Sequence, residues 1–104
     1  MKIWLDDLRD PKDWVANPTS WFWVKNSYDA IELLSDIRRK RSSIDAMSFD
    51  HDLGGEDTSR TVVLWMCEYD FWPKEATVHS SNPPGVEWLR GMIQRYAPEG
   101  TLKS

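Results

Sequence analysis

Four short apolar runs organise this chain, and three of them end abruptly in polar residues. Ile3-Trp4-Leu5 runs into Asp6-Asp7, Ala46-Met47-Ser48-Phe49 into Asp50-His51-Asp52, and Ala76-Thr77-Val78 into His79-Ser80-Ser81-Asn82. Both histidines of the protein fall in these clusters. If the runs are neighbouring parallel strands, all three clusters emerge along one edge of a sheet, the edge at which open α/β sheets bind ligands. The carboxylates gathered there would repel a phosphate unless a divalent cation intervened. The pattern therefore points to a metal-assisted phosphate site.

The stretches between the runs read as crossovers. Residues 8–20 carry Asp10-Pro11, Asn17-Pro18 and Thr19-Ser20, turn signals without a helical period, and are expected to form a long loop. Phe22-Trp23-Val24 is the second strand. Asn26 or Ser27 then caps a helix with Tyr28, Ile31, Leu34 and Ile37 on one side, closed by Arg38 to Arg41. A third strand from Asp45 to Phe49 leads through Leu53-Gly54-Gly55 to Thr58 or Ser59, the N-cap of a largely apolar helix from Arg60 to Asp70. Pro73 ends that helix and Ala76 to His79 is the fourth strand. Asn82-Pro83-Pro84 then opens a last helix with Val86, Leu89, Ile93 and Tyr96 at helical spacing, stopped by Pro98 and Gly100.

This order predicts one α/β domain over residues 1–104, a parallel sheet of about four strands in order 2-1-3-4 with right-handed crossovers and helices on both faces. Strand 1 is then central, and the Asp6-Asp7 and Asp50 clusters line the switch point beside it. A chain of 104 residues is long enough to bury a real core. Its net charge of -4 excludes a broad electrostatic grip on duplex DNA, which rests on rows of Lys and Arg. Cys67, the single cysteine, forms no internal disulfide and reads as a small buried hydrophobe. With no signal peptide and no membrane-spanning apolar stretch, a cytoplasmic protein is expected.

Each cluster also has a plain structural reading. Adjacent Asp6 and Asp7 point to opposite faces of a regular strand, so one of them could simply cap a turn. Asp50 and Asp52 share a side at period two, which suits a shared cation, but the segment could also be a solvated loop entering the Gly54-Gly55 turn. His79 is either a satisfied core histidine or an acid that protonates a leaving alkoxide. Asn82, before two prolines, is a good N-cap, and a helix N-terminus is also a place where phosphate oxygens bind. Arg9 clamps a phosphate or pairs with nearby acids. Arg38 to Arg41 match a helix C-terminal dipole. Trp14, Trp21, Trp23 and Trp72 pack in the core or rim, or stack a base.

Three blocks in order carry a resemblance: Leu5-Asp6-Asp7-Leu8-Arg9-Asp10-Pro11, Ser48-Phe49-Asp50-His51-Asp52-Leu53-Gly54 and Val78-His79-Ser80-Ser81-Asn82-Pro83-Pro84-Gly85. Together they resemble the cyclic-phosphate processing receiver-like domain family, a compact relative of the response-regulator receiver fold. The resemblance implies a receiver-like (flavodoxin-like) sheet, an acidic metal-binding pocket and a role in handling cyclic phosphates. By resemblance, Asp6 and Asp7 match the receiver acidic pair, Asp50 the acceptor, and Ser80 the hydroxyl residue after the fourth strand. There are departures. No fifth strand is clear, the only tail lysine is Lys103, and His51-Asp52 follow the acceptor position where receivers usually carry aliphatic residues. These weigh against ordinary phosphorelay signalling. Ser59-Arg60 stands where the family suggests a small Gly-containing pair, which alters the pocket rim.

The expected function is that of a metal-dependent phosphoesterase opening a cyclic phosphodiester, either a 2′,3′-cyclic phosphate end or a cyclic nucleotide. Asp6, Asp7, Asp50 and Asp52 would hold one divalent cation, Mg²⁺ or Mn²⁺. Asp50, His51 and His79 would be catalytic, the imidazoles as base and acid or His51 as a ligand. Arg9, Ser80, Ser81 and Asn82 would bind phosphate oxygens. The competing reading is a non-catalytic nucleotide- or phosphate-binding module. Either way the partner is a small nucleotide or an RNA-end phosphate, with no duplex DNA and no membrane.

Overall fold

The computed structural model describes residues 1–103. Four strands, β1 (Lys2–Leu5), β2 (Trp21–Val24), β3 (Ala46–Phe49) and β4 (Glu75–Val78), pair in parallel in the order β2-β1-β3-β4. Three helices follow them, α1 (Ser27–Arg39), α2 (Arg60–Tyr69) and α3 (Pro83–Tyr96). The strand order is the predicted one. Residues 8–20 hold two short 3-10 turns, Pro11–Asp13 and Pro18–Ser20, and no α-helix. No described helix is long and apolar enough to cross a membrane.

The side chains of β1 and β3 alternate across the sheet. Ile3, Leu5, Met47 and Phe49 enter one core with Leu34 and Ile37 of α1, Val62, Val63 and Met66 of α2, and Leu89 and Ile93 of α3. The helices also pack side by side, α1 on α2 and α2 on α3. All three therefore lie on one face. This corrects the expectation of helices on both faces, and the reason is directional. The crossovers through α1 and α2 run across the sheet toward β4, and a right-handed connection in that direction always passes over the same face. The crossover that runs the other way, β1 to β2, is the helix-free loop of residues 8–20.

Beyond α3 the chain returns to the outer edge of β4. There Ala76 and Leu102 form a single parallel bridge, through Ala76 N–H to Thr101 O and Lys103 N–H to Ala76 O, both at 2.8 Å. This one-residue contact stands where a fifth strand would be. It places Lys103 beside the start of β4 and not at the edge where the acidic clusters emerge.

Caps follow the sequence closely. Asn26 accepts from Asp29 N–H and Asn82 from Gly85 N–H. At α2 it is Thr58 that accepts from Arg60 N–H, while the Ser59 hydroxyl is buried without a partner.

Candidate metal and phosphate site

The ladders extend one residue past the strands. Asp6 N–H donates to Val24 O, Asp50 N–H to Leu5 O and His79 N–H to Phe49 O. Asp6, Asp50 and His79 thus form one row at the ends of β1, β3 and β4, two residues beyond the row of Trp4, Ser48 and Thr77 and on the same face. The predicted convergence on one edge is observed for these groups.

Asp6, Asp7 and Asp50 each present an oxygen within 4.8 Å of the other two. Arg9 leans over them, its Nη1 at 3.4 Å from Asp6 Oδ2 and 3.5 Å from Asp50 Oδ1. Leu8, Asp52, Gly54, Gly55 and Ser81 complete the walls of an open cavity of about 350 Å³. Gly54 has a backbone φ of +96°, and a Cβ there would stand 3.3 Å from Asp7 Oδ2. Its lack of a side chain keeps the carboxylate reachable from that wall.

The carboxylates differ in electrostatic character. Burial raises the Asp6 pKa, but the backbone N–H groups of Arg9 and Leu8 and the His79 ring more than offset it, so the group stays ionised to lower pH than usual. Asp50 goes the other way. Burial and the neighbouring Asp6 charge raise its pKa against the help of Ser80, Arg9 and His51 N–H. Two carboxylates held this close, with one of them resisting ionisation, form a donor set that a cation would relieve. All-oxygen ligands suit Mg²⁺ or Mn²⁺.

His79 supports Asp6 from behind. Thr77 Oγ1–H donates to Ser48 Oγ at 2.9 Å, and Ser48 Oγ lies 2.7 Å from His79 Nδ1. The Thr77 bond leaves Ser48 its own proton to give to Nδ1, so His79 carries its proton on Nε2 and donates it to Asp6 Oδ2 at 2.9 Å. The ring also stacks on Trp4, with centroids 3.9 Å apart and planes 5° from parallel. Small Ser48, between them on β3, leaves room for the two rings to meet. Burial holds the His79 pKa below its usual 6.5, against the pull of Asp6. The unfolded chain therefore takes up this proton more readily than the fold. His79 contributes its full share of stability above pH 6.5 and loses it as the pH falls below that value, with a slope of at most about 1.4 kcal/mol per pH unit. Urea denaturation from pH 7.5 to 5 is expected to show a shallower acid decline in His79→Gln than in the native chain; parallel profiles would contradict this assignment.

His51 is not at the acidic pocket. Its Nδ1 donates to Asp52 Oδ1 at 2.8 Å and its Nε2 accepts from Arg60 Nε at 2.8 Å, while the ring lies against Gly85 of α3. Both nitrogens are satisfied away from the triad. Asp52 lines the rim, but its carboxylate is drawn off by His51 and by Asn82 Nδ2, and it is not among the three converging oxygens. The Asn82 side chain both caps α3 and bonds Asp52. The α3 N-terminus offers little to a phosphate, because Pro83 and Pro84 have no N–H and those of Gly85 and Val86 bond Asn82. Ser80 Oγ accepts from Asn82 N–H at 3.2 Å and helps to lower the Asp50 pKa, whereas Ser81 lines the cavity.

A family model for the cyclic-phosphate processing receiver domain matches residues 1–95. The chain belongs to this family. No curated protein and no solved structure matches it. In this cyclic-phosphate processing receiver domain the three acids expected from the family pattern, Asp6, Asp7 and Asp50, do converge, and Ser80 reaches Asp50. The Arg60 that replaces the expected small residue holds His51 on one side and lies 4.8 Å above the Trp88 ring. It ties α2 to α3 at the rim. The sequence reading passed over Ser48 and Thr77. Hydroxyl residues inside short strands, spaced two before Asp50 and His79, were the available signal.

Of the tryptophans, Trp4 and Trp23 fix the loop after β1, their indole N–H groups donating to Arg9 O and Asp6 O. Trp72 donates to Asp70 and packs on the helix side. Trp14 and Trp21 line a second cavity on the helix-free face.

Proposed function

We propose that this domain binds a cyclic phosphodiester at Asp6, Asp7 and Asp50 and opens it by metal-dependent hydrolysis. The observation that carries the reading is the convergence of three carboxylates within 4.8 Å beside the Arg9 guanidinium. Asp6, Asp7 and Asp50 would hold a Mg²⁺ or Mn²⁺ ion, which when bound polarises a phosphoryl oxygen and lowers the pKa of water. Arg9, charged at any working pH, binds the remaining phosphoryl oxygens and trades its contacts with Asp6 and Asp50 for them. Ser81 lies on the same wall and offers a hydroxyl. Asp6 is held in one orientation by Leu8 N–H, Arg9 N–H and His79, so little rearrangement is needed on binding. Water adds to phosphorus and gives up a proton to solvent, one ring P–O bond breaks, and the alkoxide takes a proton from solvent, since neither imidazole lines the acidic cavity: His79 spends its Nε2–H on Asp6, and His51 bonds Asp52 and Arg60.

That last feature also favours a second reading, a module that captures the phosphate and releases it unchanged. Incubation of 2′,3′-cyclic AMP with protein and Mg²⁺, followed by ³¹P NMR, separates the two. Hydrolysis predicts a growing monoester resonance that is absent with Asp7→Asn, a substitution at a partly exposed position. Shifted substrate without product supports the binding module. An unchanged spectrum would overturn both.

A further inference from the structure

A second cavity lies apart from the acidic one. It measures about 620 Å³ and lies on the sheet face that the helices leave uncovered, under the loop of residues 8–20. Its walls include the indoles of Trp4, Trp14 and Trp21, and Ser48, Thr77 and His79 lie along its floor. Trp4 and Trp21 meet edge to face at 6.1 Å and 88°. Trp4 and His79 are stacked with nearly parallel planes, and the hydrogen bonds of the Ser48–His79–Asp6 chain hold the imidazole there.

The geometry points to this cavity as a nucleobase subsite, one that accepts the base of the nucleotide whose phosphate occupies the acidic triad. The assignment rests on the phosphate reading of the triad for the second half of that statement. Three observations carry it. The volume falls within the range of small-ligand sites, and the lining combines three indoles and a few aliphatic side chains with hydroxyl, imidazole and charged groups such as Lys74 and Glu75 that can bond the edge of a base. Trp4, 2 % exposed and stacked on His79, backs the cavity, while Trp14, more than half exposed, and the partly exposed Trp21 supply the reachable indole surface, and stacking tolerates any base. The cavity also adjoins the acidic site through His79–Asp6 and Trp14–Arg9 contacts. The Trp4-Ser48-Thr77 row lies one two-residue step, about 7 Å along the strands, behind the Asp6-Asp50-His79 row on the same face. His79 borders the cavity while bonding Asp6, and the Arg9 guanidinium lies 5.5 Å from the Trp14 ring. A ribose spans such a step, with its base over the indoles and its phosphate beside Arg9.

The test uses adenosine, which has no phosphate and so reads the subsite separately from the triad. In ¹H–¹⁵N spectra of the uniformly labelled protein, adenosine is expected to shift the indole N–H signals of Trp14 and Trp21 saturably and leave those of Trp65 and Trp88, on the helix side, in place. Trp14 is more than half exposed, so Trp14→Ala keeps the fold, which the unchanged Trp65 and Trp88 signals would verify. That variant is expected to bind adenosine about ten-fold more weakly, the loss of one stacking contact. No shift up to the solubility limit of adenosine would overturn the subsite, as would equal affinity in Trp14→Ala. Trp14 and Trp21 signals that move with protein concentration and not with adenosine would also overturn it, assigning the face to a second copy of the chain. If adenosine binds but cyclic phosphates bind no more tightly with Mg²⁺ present, the phosphate reading of the triad fails and the base subsite stands.

Discussion

Gly85→Ala is expected to destabilise the protein by about 2 kcal/mol, lowering its Tm by roughly 10 °C, while Gly91→Ala in the same helix stabilises it by about 0.5–1 kcal/mol. The residues differ in what a methyl group would meet. At Gly91 there is nothing within 4 Å, so alanine brings only its higher helix propensity. At Gly85 a Cβ would stand 2.7 Å from His51 Cδ2, 2.8 Å from His51 Cβ and nearer still to Cγ. These atoms are the root of the ring, not the tip of a flexible chain. The ring itself is held by Asp52 and Arg60, so α3 must back away or both hydrogen bonds must break. Urea denaturation of the two variants measures the contrast. Equal effects would mean that His51 does not set the approach of α3. Because Asp50 precedes His51 on the same loop, Gly85→Ala is also expected to weaken metal binding at the triad.

Asp50→Asn is expected to raise the stability of the metal-free protein by about 1 kcal/mol and to abolish its response to Mn²⁺. The first effect follows from the direction of the Asp50 pKa. Burial and the Asp6 charge raise it, so the ionised carboxylate costs the folded state stability as the pH rises above the unfolded value of 3.8 and through the folded one. Asparagine removes that cost, and its gain should shrink toward pH 3.8, where the native carboxyl is protonated as well. The second effect follows from the donor set, which loses an anionic oxygen. With free Mn²⁺ at 100 times its Kd, the native chain should gain about 2.7 kcal/mol and the variant nothing. Thermal unfolding with and without Mn²⁺ reads both effects. An equal Mn²⁺ shift in the two proteins would remove Asp50 from the metal site, and a less stable metal-free variant would contradict the charge argument. A group that destabilises the empty fold at neutral pH is a reasonable mark of function, since packing alone favours its removal.

Much of the edge was legible because strand periodicity is simple. Once the apolar runs are strands, Asp6, Asp50 and His79 must share a row, and only the pairing order has to be supplied. The caps Asn26 and Asn82 and the Gly54-Gly55 turn were legible for the same local reason. His51 was misplaced because alternation cannot be carried past the end of a strand. One residue beyond Asp50 the chain turns, and the ring goes to α3, where Gly85 leaves it room. Asp52 then follows His51 in place of the triad. The polar role of Ser80 was visible, but not that its oxygen would accept from Asn82 N–H.

The sequence by itself determined the four strands, the three helices, the 2-1-3-4 order and the edge at which the acids collect, because each follows from local propensity, spacing and the handedness of crossovers. The tertiary structure decided which imidazole meets the acids, which carboxylates converge, and that one face of the sheet stays free of helices. These depend on contacts between residues far apart in the chain: His79 with Asp6 across β3, His51 with Gly85, and Trp4 with Trp21 beneath the β1–β2 loop. A helix-free crossover could be read from the turn signals of residues 8–20. That it leaves an aromatic cavity one row behind the acids emerges only when the strands are laid side by side.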